Sequence, residues 1–415
     1  MKKALLIIAL FLSACSNATE RQVTSVPNGI KVSSDSKHAS ESGIAVATDG
    51  RIFVVWSERD ENKKYDIYVR EYGDDLGPKS DPVHVNPNAG EARTWYGDAP
   101  SVLVAPDGKI YVAWNRVYPD GSLGNDLVLS TSNDGGKTFG EPLKINDDTA
   151  PASHGMHGMT LDADGRVLIS WLDERYLKRS QARSQLNVGP PFHAMVFSQS
   201  PAVASKETEP EEPDAELYFA TVADGKLEGP NRKIGTAICP CCRVSVASAR
   251  DGSIYLAFRK VWDAQFRHIS IVRSLDGGKT FSEPAQMSDD KWKLYACPVN
   301  GPAMRVSEKN ELEIAWYSGG ERAEKGLYRA ISTDRGATFS APALVSTAPV
   351  KGSPAFAGDS LVFASPEQVF LSTAGPARSL TDGTTPSAVA VGAKIIMVIT
   401  KRTDESSSIW LVRSK

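Results

Sequence analysis

The chain has 415 residues, 41% hydrophobic and 23% charged, a globular balance with ample material for a large core. Its formal net charge of −3 excludes the basic footprint that a nucleic-acid partner requires. Convincing amphipathic helix patterns are absent and short strand patterns fill the chain, which excludes a helical fold.

The first residues carry an address. Lys2 and Lys3 form a basic head, Ala4 to Leu12 an apolar run, and Leu12-Ser13-Ala14-Cys15 closes it. The run is too short and too near the terminus for an ordinary membrane span. The segment resembles the signal and lipobox of bacterial lipoproteins, which implies that residues 1–15 are an export signal and that Cys15 is lipidated. Ser16 stands where an inner-membrane retention signal places Asp, so the expectation is an outer-membrane anchor facing the periplasm or the cell surface. Residues 16–21 are then a tether, and residues 22–415 a single domain that meets the membrane through its lipid alone. Export places the remaining cysteines in a disulfide-permissive compartment.

Along the domain an apolar run, a turn and an aromatic-rich strand recur: Gly43–Trp56, Ala99–Trp114, Gly158–Trp171, Arg243–Phe258 and Ala303–Trp316, with weaker versions at 354–364 and 386–400. Each unit continues into a third strand, as at Asp126–Thr131 and His268–Arg273. In three units a turn of pattern Ser-x-Asp-x-Gly-x-Thr-Phe leads to a fourth: 132–139, 274–281 and 332–339. The Asp can accept backbone N–H groups within the turn, the Gly supplies a φ that other residues resist, and the Phe anchors the next strand. Four antiparallel strands repeated at about fifty residues predict an all-β propeller of six or seven four-stranded blades, with seven preferred. Blades are expected at 43–87, 99–148, 157–236, 242–290, 301–347 and 352–382. The last segment, 385–413, supplies only three strands, and Gln22–Val32 reads as the missing fourth, which would remove an exposed edge.

The turn repeats resemble the Asp-box (BNR) repeats of sialidases and related propeller glycosidases. The resemblance spans nearly the whole domain and implies a sialidase-like propeller whose ligand site lies on the face opposite these turns. The loops on that face carry Asp98, His154, His157, Cys239, Cys241, Cys242, Arg243, Cys297, Asn300 and Arg305 at strand entries. Arg59, Arg116, Arg175, Arg259 and Tyr317 follow second strands. Arginine suits bidentate capture of carboxylate or sulfate, so Arg59, Arg116, Arg175, Arg243, Arg259 and Arg305 are the expected contacts to an anionic glycan. Their alternative is a set of ties between blades through Glu58, Asp60, Asp173 and Glu174. Sialidases use an arginine triad, a tyrosine nucleophile and an aspartate acid/base. The resemblance implies Asp98 as acid/base and Tyr317 or Tyr295 as nucleophile. The Arg-Ile-Pro signature of the triad is missing, for the first blade opens Ser42-Gly43-Ile44, so glycan binding is expected and hydrolysis is left open.

Two features lie outside that pattern. Cys239-Pro-Cys-Cys-Arg243 and Cys297-Pro298 stand beside Ser153-His-Gly-Met-His-Gly-Met159. The cysteines read as disulfide staples, as redox thiols, or with His154 and His157 as a copper or zinc site. Between Tyr176 and Ala215 an insertion containing Phe192 and His193 reads as a binding loop over the same face. A sialidase-like envelope protein is thus the leading expectation, with a Cys/His metal or redox propeller and an interaction scaffold as alternatives.

Overall fold

The computed structural model describes residues 29–34, 38–176, 215–294, 299–321, 324–373 and 376–414. The described residues contain no helix. Cys15, Phe192, His193, Tyr295 and Cys297 lie outside them.

Strands form because β-branched and aromatic residues run between turns built on Asp-Gly and its relatives. The first meander runs His38–Val46, Ile52–Arg59, Tyr65–Tyr72 and Val83–His84. Further antiparallel meanders begin at Ser101–Val104, His154–Leu161, Ser245–Ser248, Ala303–Val306, Ala355–Ala357 and Thr384–Val391. Among the described residues three sheets have four strands and two have nine, the larger ones arising where Ala92–Arg93 and Arg232–Ile238 bridge consecutive meanders. Gly29–Lys31 pairs antiparallel with Ser407–Arg413 and completes the last sheet from the other end of the chain.

Each apolar cluster is shared between consecutive meanders. Val55, Ile67 and Val69 of the first pack with Val102, Val112 and Trp114 of the second. The last meander returns to the first, where Ile396, Val398, Ile409 and Leu411 join Ile44, Val54 and Trp56 in one cluster. This is an architecture of the β-propeller type. Trp56, Trp114, Trp171 and Trp316 occupy equivalent second-strand positions and are fully buried. Three of them stack on a cross-strand tyrosine, Tyr68, Tyr218 and Tyr328, with ring centroids about 6 Å apart. Such pairs add to area burial.

The three Ser-x-Asp-x-Gly-x-Thr-Phe turns share one hydrogen-bond set. Ser132, Ser274 and Ser332 donate to Asp134, Asp276 and Asp334 at 2.7–2.8 Å. The Thr138, Thr280 and Thr338 hydroxyls donate to the second carboxylate oxygen at 2.6 Å. These contacts hold all three carboxyls well below their ordinary range, although they are fully exposed. Phe139, Phe281 and Phe339 then pack against the cores. The turns lie at the end of the meanders opposite the inner-strand entries.

At those entries the inner strands share an irregularity. Register shifts fall between Ser40 and Ser42, Gly155 and Gly158, and Thr384 and Ser387. Glu41, Met156 and Thr385, within the shifts, have φ of 49°, 52° and 47°. A bulge re-aims the side chain it carries, and here two of the bulged residues, Glu41 and Thr385, line one cavity.

Candidate functional site: the channel mouth

A cavity of about 290 Å³ opens there, lined by Glu41, Ser42, Gly97, Ser101, Arg243 and residues 352–355 and 385–387 among others. Its floor is a buried polar network. Asp98 accepts from the Met156 N–H at 2.8 Å and the Asn115 amide at 2.5 Å, and His157 Nδ1 lies 3.7 Å from it. His157 Nε2 is 3.0 Å from Ser101 Oγ. Arg243 donates to Ser101 Oγ at 2.5 Å and to the His157 carbonyl at 2.8 Å. Gly155 is required beside this network, because a Cβ there would stand 2.6 Å from Asp98 Oδ2.

Glu41 faces the network from the first meander. Its Oε2 accepts the Gly97 N–H at 2.9 Å, and Arg402 lies 3.6 Å from its Oε1. The Arg402 guanidinium also sits 5.4 Å from the Tyr96 ring centre, with the Lys351 ammonium at 5.7 Å. Arg93 stacks at 3.9 Å on Trp95, which is 37% exposed at the rim. Thus the run Arg93 to Asp98 supplies a stacking platform, a buried phenol and a buried carboxyl in succession.

Burial dominates the electrostatics. It pushes Glu41 up to about 7 against the pull of Arg402 and the Gly97 N–H. It pushes Asp98 up to about 6 against Arg243 and its hydrogen bonds. Burial and the Arg243 charge hold His157 well below its ordinary value. Burial, with Glu41 nearby, carries Tyr96 well above the phenol range.

The network is under-satisfied at the mouth. Glu41 Oε1, Ser42 Oγ, Tyr96 Oη, Asn115 Oδ1, His157 Nδ1 and Arg402 Nε are buried without a hydrogen-bond partner. Buried polar atoms are paired in the great majority of cases, and two of these orphans, Glu41 Oε1 and Ser42 Oγ, belong to residues that line the cavity, which marks it as a place built for a polar ligand.

Of the residues singled out in the sequence, Asp98, His157 and Arg243 meet here. The others lie elsewhere. Arg175 binds Asp173 and Asp147 at 2.8 Å, and Arg116 lies 3.6 Å from Asp126. Arg305 holds Glu313 and Asp359 at 2.6 and 2.5 Å, toward the opposite end of its strand. Arg59 ends its strand opposite His38 and Tyr65. His154 is fully buried between Asp148 and Asp173, at 3.2 and 3.5 Å. Tyr317 packs edge-on against Trp292, and its carbonyl accepts from Arg259 at 3.1 Å. Asp98 and Tyr317 therefore belong to separate clusters.

The cysteines form another cluster. The sulfurs of Cys239, Cys241 and Cys242 lie within 4.8 Å of one another. Neither histidine joins them, since His154 and His157 are committed to Asp148, Asp173, Ser101 and Asp98.

Glu41, Tyr96, Ser101 and Arg402 are members that sequence reading passed over. Arg402 was detectable in principle, because it ends its second strand as Arg59 and Arg116 do. Glu41 was not, since only a bulge brings it to the mouth.

No family model matches the chain, and no curated protein sequence does. Among solved structures it is similar to the polysaccharide lyase Uly1, with a TM-score of 0.52 and 10% identity over 90% of this chain and 89% of that one. It is also similar to a protein of unknown function from Dyadobacter fermentans, with a TM-score of 0.51 and 15% identity over 94% and 99%. A Hadza microbial sialidase aligns at a TM-score of 0.49 and 13% identity, over 91% of this chain and 66% of its own. At such identities the likeness is one of fold alone: an all-β chain of the propeller type.

Proposed function

We propose that this chain is a seven-bladed, sialidase-like propeller of the bacterial cell envelope, tethered through Cys15, that binds an anionic glycan at its channel mouth. The observation that carries the reading is a cavity lined by Glu41, Ser42 and Arg243, in which Glu41 Oε1 and Ser42 Oγ are buried without hydrogen-bond partners and Arg402 stands 3.6 Å from Glu41. Guanidinium groups suit a sugar carboxylate or sulfate. Trp95, partly exposed beside Tyr96, offers an apolar face to a pyranose ring, and the Glu41 carboxyl, raised to about 7, can donate to a hydroxyl in its protonated form. Counting each bridged nine-stranded sheet as two meanders supports the reading of seven blades.

Hydrolysis is the catalytic form of the same reading. Asp98, raised to about 6, is the acid, since a catalytic acid works best with a pKa near the working pH.

Calorimetric titration with sialylated, uronate-containing and neutral oligosaccharides tests the binding. The acidic glycans should bind and the neutral ones should not. Arg402→Gln should weaken binding roughly ten- to hundred-fold, the scale of one charge-assisted hydrogen bond, and Trp95→Ala by a few-fold. Equal binding of neutral sugars, or none at all, overturns the proposal. Turnover of an aryl glycoside that Asp98→Asn abolishes would establish hydrolysis.

A further inference from the structure

The entry to the fourth meander holds a second chemical feature that glycan binding does not use. Cys239 and Cys242 stand in a Cys-x-x-Cys run. Both are buried, both are free thiols, and their sulfurs are 3.9 Å apart. Two guanidinium groups attend them. Arg259, 1% exposed, lies against Cys242, and the Arg267 charge acts on Cys239. Arg259 Nη2 is used by the Asn300 and Tyr317 carbonyls, yet Arg259 Nε and the Nε and Nη1 of Arg267 are buried without partners. Donors left open in an apolar interior are costly. Beside a sulfur they are accounted for if that sulfur carries negative charge. The Asn300 N–H also points at Cys242.

We propose that Cys239 and Cys242 are a reversible dithiol–disulfide pair oxidised by hydroperoxides, with Cys242 as the attacking sulfur and Arg259 as its positioning residue. The sulfurs need to close by less than 2 Å to reach bonding distance. Burial of both sulfurs excludes bulky disulfide oxidants and selects for a small one. Burial opposes ionisation of Cys242, but the hydrogen bond it shares with Cys239, the Arg259 charge and the Asn300 N–H outweigh it and lower its pKa. The hydrogen bond to Cys242 and burial raise that of Cys239. The pair thus has one nucleophilic and one resolving partner.

The chemistry balances. The Cys242 thiolate attacks one oxygen of hydrogen peroxide, the O–O bond breaks, and Cys242 sulfenic acid forms with hydroxide leaving. The hydroxide takes up the proton that the Cys242 thiol released. The Cys239 sulfur then attacks the sulfenic sulfur and displaces its oxygen, which departs as water with the Cys239 proton. Two thiols and one peroxide yield one disulfide and two waters, and an external thiol such as dithiothreitol reverses it.

The test is made on the folded protein with stoichiometric hydrogen peroxide, then alkylation of free thiols with one reagent, full reduction, alkylation with a second, and mass analysis of the tryptic peptide 234–243, in which Cys241 is already disulfide-bonded. In the parent protein Cys239 and Cys242 should both pass from the first label to the second after peroxide, and return to the first when mild dithiothreitol precedes labelling. Cys242→Ser should abolish the change. Cys239→Ser should leave a sulfenic acid on Cys242 that dimedone traps, a readout that holds even if one variant is unstable. Arg259→Lys should slow the reaction and move its pH profile upward. No peroxide-dependent change in the parent overturns the proposal, as does trapping on Cys239 instead. Stoichiometric zinc or copper on the purified protein that protects both sulfurs overturns it in favour of a metal site.

Discussion

Glu41 illustrates how a single residue acquires its chemistry from where the chain puts it. In the unfolded chain its carboxyl ionises near 4.5, and in the folded protein near 7. Between these values the folded state holds a proton that the unfolded state has released. Glu41's contribution to stability therefore falls as pH rises through that window, by about 1.4 kcal/mol per unit and on the order of 3 kcal/mol in all. Asp98, raised to about 6, acts in the same direction. His157 acts in the opposite one, because it stays neutral in the fold while the unfolded chain takes up a proton below about 6.5. The Glu41 share is isolated by comparing Glu41→Gln with the parent in urea unfolding from pH 4.5 to 8. The variant should gain on the parent as pH rises, and a difference that ignores pH would refute the assignment. The same residue shows why the site was only half legible. Asp98, His157 and Arg243 announce themselves as polar residues beside turn signals, whereas Glu41 lies in a strand and reaches the mouth through a bulge and a positive φ. The surplus arginines misdirect the reading: Arg116, Arg175 and Arg305 find carboxylates of the fold, which spacing along the chain does not reveal.

At the scale of the element, the meander is stabilised by two devices that recur in register. One is the buried second-strand tryptophan. Trp316→Ala removes a fully buried ring stacked on Tyr328 and should cost about 3–5 kcal/mol, read as a fall in the denaturant midpoint. The other is the turn in which Asp134, Asp276 or Asp334 gathers a serine, a threonine and backbone N–H groups. Its carboxylates are exposed, so Asp276→Ala should lower the thermal midpoint modestly. Combined with Asp134→Ala the losses should add, since the turns share no partners. A loss larger in the pair than the sum of the singles would mean that the turns communicate. These elements were legible because their signals are local: alternation for the strand, Asp and Gly for the turn, an aromatic residue for the anchor.

At the scale of the whole molecule, the chain depends on joining its ends. Gly29–Lys31 pairs with Trp410–Val412, and Val32 enters the cluster shared by the last and first meanders. Removing residues through Val32 should expose the edge of Ser407–Arg413 and uncover part of that cluster. An open edge is a template for association, so the shortened protein should melt lower and elute partly as oligomers in size-exclusion chromatography. An unchanged melting point with a monomeric profile would show that the ring holds without its terminal strand. Closure also makes the site, because the mouth takes Glu41 from the first meander, Asp98 from the second, His157 from the third, Arg243 from the fourth and Arg402 from the last.

The sequence by itself determined the all-β class, the repeat of about fifty residues, the turns that fasten it and the presence of arginine, cysteine and acidic groups near strand entries. Each rests on interactions within a few residues, where period, turn chemistry and side-chain type are enough. Only the tertiary structure decided which of those groups meet. Whether an arginine ties a blade or faces the mouth depends on carboxylates 8 to 54 positions away, as for Arg305. Whether a carboxyl is an acid or an anion depends on how completely other meanders bury it. Burial and long-range pairing arise when the ring closes, and no local pattern encodes them.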